Sequence, residues 1–263
     1  MIASPRHFGA VNWLGLRTLY VKEVRRFMKV FLQTVAAPAA TSLLFLTIFA
    51  LALGGAVREI AGVPFLEFLA PGLIMMAMAQ NAFANTSSTV IVAKMQGNVI
   101  DLVMPPLSPT ELLLGLVGGA VTRALLIGLL LPLLMLPFVD LELRHLGFLV
   151  FHAVTASTAL ALLGLMTGIW AAKFDHVATI QNFVVMPLAF LSGTFYSVQQ
   201  LPPVFYTISQ FNPFFYMIDG FRHGFIEHAD ATPWVGLAVM AGLTAVLWLA
   251  CHRMIASGYK IKA

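Results

Sequence analysis

Charge is what this sequence has least of. Asp, Glu, Lys and Arg make up 10% of its 263 residues, while 60% are hydrophobic. A soluble domain is roughly half apolar and a quarter charged, so this chain cannot solvate a surface of its own, and soluble and disordered classes are excluded. Cysteine is nearly missing: Cys251 stands alone, which excludes a disulfide framework and a four-cysteine zinc site. No Gly-Lys dipeptide occurs, so the chain has no ATP-binding phosphate loop of its own. The net charge of +4 would suggest a nucleic-acid partner only as a patch on a water-exposed fold. Here the basic residues flank apolar runs, and no nucleic-acid partner is expected.

What is present is a series of long uncharged runs. They cover 28 residues between Lys29 and Arg58, 26 between Glu67 and Lys94, and 28 between Glu111 and Asp140, the last broken only by Arg123. Another 28 lie between Arg144 and Lys173, 43 between Asp175 and Asp219, and 22 between Asp230 and Arg253. A spanning helix needs roughly 20 apolar residues, so five runs hold one span each. The 43-residue run opens with a span from Val177 to Tyr196. It continues through Ser197, Gln199, Gln200, Pro202-Pro203, Ser209, Gln210 and Asn212-Pro213, a mixture that cannot face lipid as one helix. Ten of the thirty aromatics fall between Phe195 and Phe225, as expected for short re-entrant helices at headgroup depth. The expectation is an all-α integral membrane protein with six spans.

Basic residues orient it. With both termini in the cytoplasm, eleven Lys and Arg lie inside and three outside. Splitting the 43-residue run into two spans would give nine against five, so the positive-inside rule favours six. The 29-residue basic leader before the first run is too long for a cleavable signal. The organisation expected is a cytoplasmic leader helix over 1–30, a membrane domain over 31–254 and a cytoplasmic tail over 255–263.

Two cytoplasmic patterns stand out. Trp13, Leu16, Tyr20, Val24, Phe27 and Phe31 fall within an arc of roughly 80° on a helix, with Lys22, Arg25, Arg26 and Lys29 opposite. Such a basic amphipathic helix anchors topology at anionic lipid or docks a partner. The second is the loop from Lys94 to Glu111. Gly97, Asn98, Val99, Ile100, Asp101, Leu102, Val103 and Met104 predict a short helix, which Pro105, Pro106 and Pro109 stop. Apolar Val99, Ile100, Leu102 and Val103 around Asp101 suit a groove in a soluble partner.

Three motifs carry a family resemblance. They are Phe68-Leu69-Ala70-Pro71-Gly72-Leu73 at the start of span two, and Gly193-Thr194-Phe195-Tyr196-Ser197 with Leu201-Pro202-Pro203 after span five. The third is Asn212-Pro213 with Tyr216, Asp219-Gly220 and Arg222. In order and spacing, over nearly the whole chain, the sequence resembles ABC-2 type transporter permeases of the nodulation-factor, antibiotic-export and YadH-like subgroup. That resemblance implies a half-transporter of the bacterial inner membrane, paired as a permease homodimer above two ATPase subunits that carry ATP and magnesium. It implies ATPase contacts on the leader helix and the loop between spans two and three. It also implies that the segment before span six closes the outer mouth.

Other functions weigh less. Ion coupling usually places acidic residues inside the bilayer, yet no Asp or Glu interrupts a span, which counts against a secondary transporter or channel. His223 with Glu227-His228 is one residue longer than the inverted zinc motif, and the extra residue turns the first His by roughly 100°, off the shared face. His152 is expected to hydrogen-bond a neighbouring helix. Met75, Met76 and Met78 suit ordinary packing, and Gly115, Gly118, Gly119 and Ala120 suit close helix approach. Arg123, 12 residues into span three, is expected to face the interior and meet a polar group or backbone carbonyl. Asp219 and Arg222 are expected near the outer face. A glycolipid or polysaccharide, a lipid and an amphipathic drug all fit as cargo.

Overall fold

The computed structural model describes residues 11–53, 59–60, 62–226 and 228–260. Arg6, Arg58, Glu227 and Lys262, used in the charge and zinc arguments, lie outside them. Proximity of apolar side chains in sequence becomes helix throughout, because only helices satisfy every backbone group within one segment in lipid. In chain order these are α1 (Trp13–Met28), a π-helical turn (Leu32–Ala36) running into α2 (Ala37–Leu53), α3 (Phe65–Met95), α4 (Ile100–Val103), α5 (Pro109–Met135) and α6 (Leu146–Trp170). There follow α7 (Phe174–Ile180), a second π turn (Gln181–Val185), α8 (Met186–Phe190), α9 (Pro203–Gln210), α10 (Pro213–Arg222) and α11 (Pro233–Ser257). A two-residue hairpin, Glu59–Ile60 against Val63–Pro64, precedes α3.

Among the described residues five helices are long and apolar enough to cross a membrane: Leu32–Ala52, α3, α5, α6 and α11. The chain is therefore an all-helical, multi-pass membrane protein. The fifth predicted span differs from expectation. Helix runs from Phe174 to Phe190 instead of Val177 to Tyr196, because Gly193 takes a left-handed φ of 76° and turns the chain before Tyr196.

Helix α3 is the axis of the bundle. Over its most apolar stretch it is 78% buried, against 22% for the first span and 17% for α11; those two are peripheral. Helix α6 can lie directly on α3 because Gly164 and Gly168 carry no side chain there. A Cβ on Gly164 would sit 2.3 Å from the Phe83 carbonyl oxygen, and one on Gly168 2.9 Å from that of Ser87. Thr86 then donates to the Ala161 carbonyl at 2.7 Å. This is small-residue packing of the kind that brings helices together in lipid. Met75 and Met78 are buried, and Met78 packs against Gly128 of α5, so the span-two methionines are packing residues as expected.

Two of the prolines in the 43-residue run start the short helices before α11. Pro203 opens α9 and Pro213 opens α10, since proline suits the first helical turn, where no amide donor is needed. The Asn212 side chain caps α10 by accepting from Phe214 N–H at 3.0 Å. Eight and ten residues long, neither crosses a bilayer.

Candidate functional site

At one end of the bundle α1 lies along α5. The capping box Ser108–Glu111 starts α5, and the same Glu111 carboxylate accepts from Asn12 N–H at 2.6 Å. Asn12 also donates to the Pro106 carbonyl at 3.0 Å. Further along, added Cβ atoms would meet Leu19 at 2.6 Å from Gly115 and Glu23 at 2.5 Å from Gly119. Tyr20 and Thr122 share a hydroxyl hydrogen bond of 2.8 Å. The glycine stripe thus does serve close packing, and its partner is the leader helix.

That partner presents a different face from the one the apolar stripe indicated. Leu19, Glu23 and Phe27 are buried, while Trp13 is 72% exposed. The turn follows from Glu23, whose carboxylate is paired inside the protein with Arg26 at 3.0 Å and accepts from Thr89 at 2.9 Å. Arg26 accordingly leaves the basic face and reaches the Asn85 carbonyl at 2.9 Å. Lys22 and Arg25 stay exposed.

Beside α1 stands the loop helix. It is one turn, Ile100–Val103, shorter than Gly97 to Met104, because Gly97 ends α3 with a left-handed φ of 71°. Leu102 does not point outward as expected: it is buried and, with half-buried Val99, shares an apolar pocket with Val90, Leu112, Leu116 and Ile169. The exposed residues are Asn98, Asp101, Ile100 at 58% and Met104 at 73%. Between α1 and this loop runs a cleft of about 280 Å³, walled by Leu14, Thr18 and Lys22 on one side and by Asp101 and Pro105–Leu107 on the other. Of the residues singled out in the sequence, Lys22 from the leader and Asp101 and Leu102 from the loop border this cleft, with a cation and an anion on facing walls, while Arg25, Arg26, Asn98, Val99 and Ile100 lie outside its lining.

Arg123 lies in the bundle interior, as expected. Its Nε and Nη2 donate to the Thr34 carbonyl at 3.2 and 3.0 Å, Nη2 also to Asn81 Oδ1, and Nη1 to Asn85 Oδ1 at 3.5 Å. The asparagines sit one turn apart on α3, polar residues inside an apolar run that the sequence reading passed over.

The opposite end is closed by α9, α10 and the 191–201 turn. Arg222 is 1% exposed. It donates to the Phe68 carbonyl at 3.1 Å and to the Gly193 carbonyl at 2.7 Å, and stacks 3.7 Å above the Phe68 ring. A Cβ on Gly72 would lie 2.9 Å from the Thr194 oxygen and 3.3 Å from the guanidinium, which is why the second residue of Pro71-Gly72 is small. Asp219, 3% exposed, accepts from the amides of Asp230 at 2.8 Å and Ala231 at 3.0 Å. Asp230 in turn accepts from the Ser197 hydroxyl at 2.7 Å and the Val198 amide at 2.8 Å. Burial pushes the Asp219 carboxyl up from its ordinary value, and Arg222 and the two amides pull it back. Asp219 and Arg222 are thus inside the cap and not at an accessible face, since each has buried backbone groups to satisfy. Tyr216 is half-buried, Pro202 and Pro203 are exposed, and Asn212 donates to the Leu188 carbonyl at 2.7 Å. His152 bonds to its own helix at the Phe148 carbonyl, 2.8 Å away. Its ring faces Gly220, whose added Cβ would lie 2.1 Å from Nε2. Among the described residues no group of His, Cys, Asp or Glu could hold a metal ion.

A helical membrane bundle covered by short helices at one end and bearing an open cleft at the other has the build of a transport subunit. Residues 15–226 match the family model for the ABC-2 type transporter, and the chain belongs to that family. It is 34% identical over 251 residues to the inner membrane transport permease YadH of Escherichia coli K12, covering 95% of this chain and 98% of that one. It is 28% identical over 202 residues to nodulation protein J of Rhizobium leguminosarum bv. viciae, covering 74% of each. The chain is a multi-pass inner-membrane transport subunit.

Proposed function

We propose that this chain is the permease half of an ATP-driven exporter. Two copies pair as a homodimer, and a dimer of separate ATPase subunits docks beneath them, binding ATP and magnesium and hydrolysing ATP. This chain binds no cofactor and catalyses nothing itself. Six segments cross the membrane, the fifth being Phe174–Phe190, and both termini are cytoplasmic. At 1.5 Å per residue that fifth segment is about 25 Å long, with the 191–196 turn completing the crossing. The observation that carries the docking surface is the cleft between α1 and the loop helix, with Lys22 and Asp101 on facing walls and exposed Ile100 and Met104 on the adjoining loop.

The outward residues of the loop test this surface. Ile100→Glu and Met104→Glu should each cost ATPase co-purification by one to two powers of ten, because a buried uncompensated charge is heavily penalised, with the permease still monodisperse. Asp101→Ala should weaken it only mildly, a rim ion pair being worth about 0–1 kcal/mol. Full retention of the ATPase in both glutamate variants would sink this docking surface.

Topology is checked at Gln200, exposed at the start of the cap. Gln200→Cys should react with an impermeant thiol reagent from outside the cell, with little background from buried Cys251. Labelling from the cytoplasm alone would overturn the six-span arrangement.

A further inference from the structure

The first span begins with the wide turn Leu32–Ala36, where Ala37 N–H donates to the Leu32 carbonyl five residues back. Pro38 follows at once. Its nitrogen carries no hydrogen, so the Thr34 carbonyl, four residues earlier, loses the donor that an α-helix would supply. A carbonyl left without a donor at membrane depth is strongly penalised. Thr34 is the residue whose carbonyl receives two hydrogen bonds from Arg123. Nη2 also donates to Asn81 and Nη1 to Asn85, so four of the five guanidinium donors meet neutral protein acceptors.

The fifth segment repeats the device at the same offset. The wide turn Gln181–Val185 closes with Met186 N–H on the Gln181 carbonyl, and Pro187 removes the donor of Phe183. Phe183 is 78% exposed, and among the described residues no side chain donates to its carbonyl.

We infer that Arg123 is the stand-in for the amide that Pro38 lacks, a positioning residue that fixes the bulge of the first span against α3 and α5 while the matching bulge of the fifth segment is left unlatched. The arginine is therefore held for its fork of donors, which one guanidinium can share between a carbonyl and two amides.

A double-mutant cycle on the detergent-purified full chain tests this, read by Tm and by transport per folded protein. Arg123→Met orphans three acceptors and should lower Tm by roughly 5–10 °C, with transport falling in parallel. Pro38→Ala restores an amide for Thr34, and in the Arg123→Met background it should return about a third or more of both losses. Pro187→Ala should return neither. Equal Arg123→Met losses with Pro38 and with Ala at 38 would overturn the inference. So would equal rescue by Pro187→Ala, which would mean helix stiffening in general. Should Arg123→Met give no folded protein, Arg123→Lys takes its place, since an ammonium keeps the charge without the fork. A Lys variant indistinguishable from the parent would likewise overturn it.

Discussion

Gly119→Leu is expected to abolish transport and ATPase co-purification together. The glycine faces Glu23, and a single added carbon would already lie 2.5 Å from the Glu23 Cβ. Neither side can yield cheaply, because Glu23 is held by Arg26 and Thr89. Overpacking alone costs roughly 1–3 kcal/mol, and lifting α1 off α5 also opens the Asn12–Glu111 contact. Leu14, Thr18 and Lys22 would then no longer form one wall of the cleft. The expected result is at least a hundredfold loss of bound ATPase with the spans still inserted. Gly118→Ala, whose Cβ would stand 3.4 Å from the Tyr20 ring, should cost little. Wild-type docking by Gly119→Leu would mean that α1 is not part of the docking surface.

The second large effect is expected at Arg222. Arg222→Leu removes the guanidinium's hydrogen bonds to the Phe68 and Gly193 carbonyls inside the protein, each worth about 1.5–3 kcal/mol for a charged donor, and it removes the stack on Phe68. It also leaves the buried Asp219 carboxylate without its neighbouring cation, so the total reaches the 3–5 kcal/mol typical of a broken buried pair. That is a large share of the roughly 5–15 kcal/mol by which domains are stable. Most of the variant should be lost as aggregate in size-exclusion chromatography, and Arg222→Lys should fare little better because a point charge cannot serve two carbonyls and a ring at once. A monodisperse Arg222→Leu with an unchanged Tm would remove the cap from the stability of the chain.

Spacing of charges was enough to locate the long helices, because the cost of charge in lipid is a property of each residue alone. The end of the loop helix was also legible, in the prolines at 105 and 106. The facing of α1 was not, because the apolar stripe gives the side that prefers lipid or protein and cannot say which. Glu23 broke the tie through Arg26 and Thr89, partners three and sixty-six residues away. Leu102 misled for a similar reason: an apolar residue beside a charge fits a partner's groove and its own protein's core equally well. At the cap, Asp219 and Arg222 read as accessible because charge usually is. Their burial depends on carbonyls and amides contributed by α3 and the 191–201 and 230–231 turns, which sequence spacing does not bring together.

The fastening of α1 along α5 has a mechanical consequence. A helix held at Asn12, at Gly115 and Gly119, and again near Thr122 cannot slide along its neighbour. Force applied to it becomes a torque on the third span. Gly119 and Arg123 are one turn apart on α5, so that torque acts beside the guanidinium that grips the first span at Thr34. A tilt of about 10° along the 16 residues of α1 displaces one end by roughly 4 Å relative to the other. Strain raised at the surface therefore reaches two spans through stiff contacts, at Arg123 in the third and at Thr34 near the start of the first.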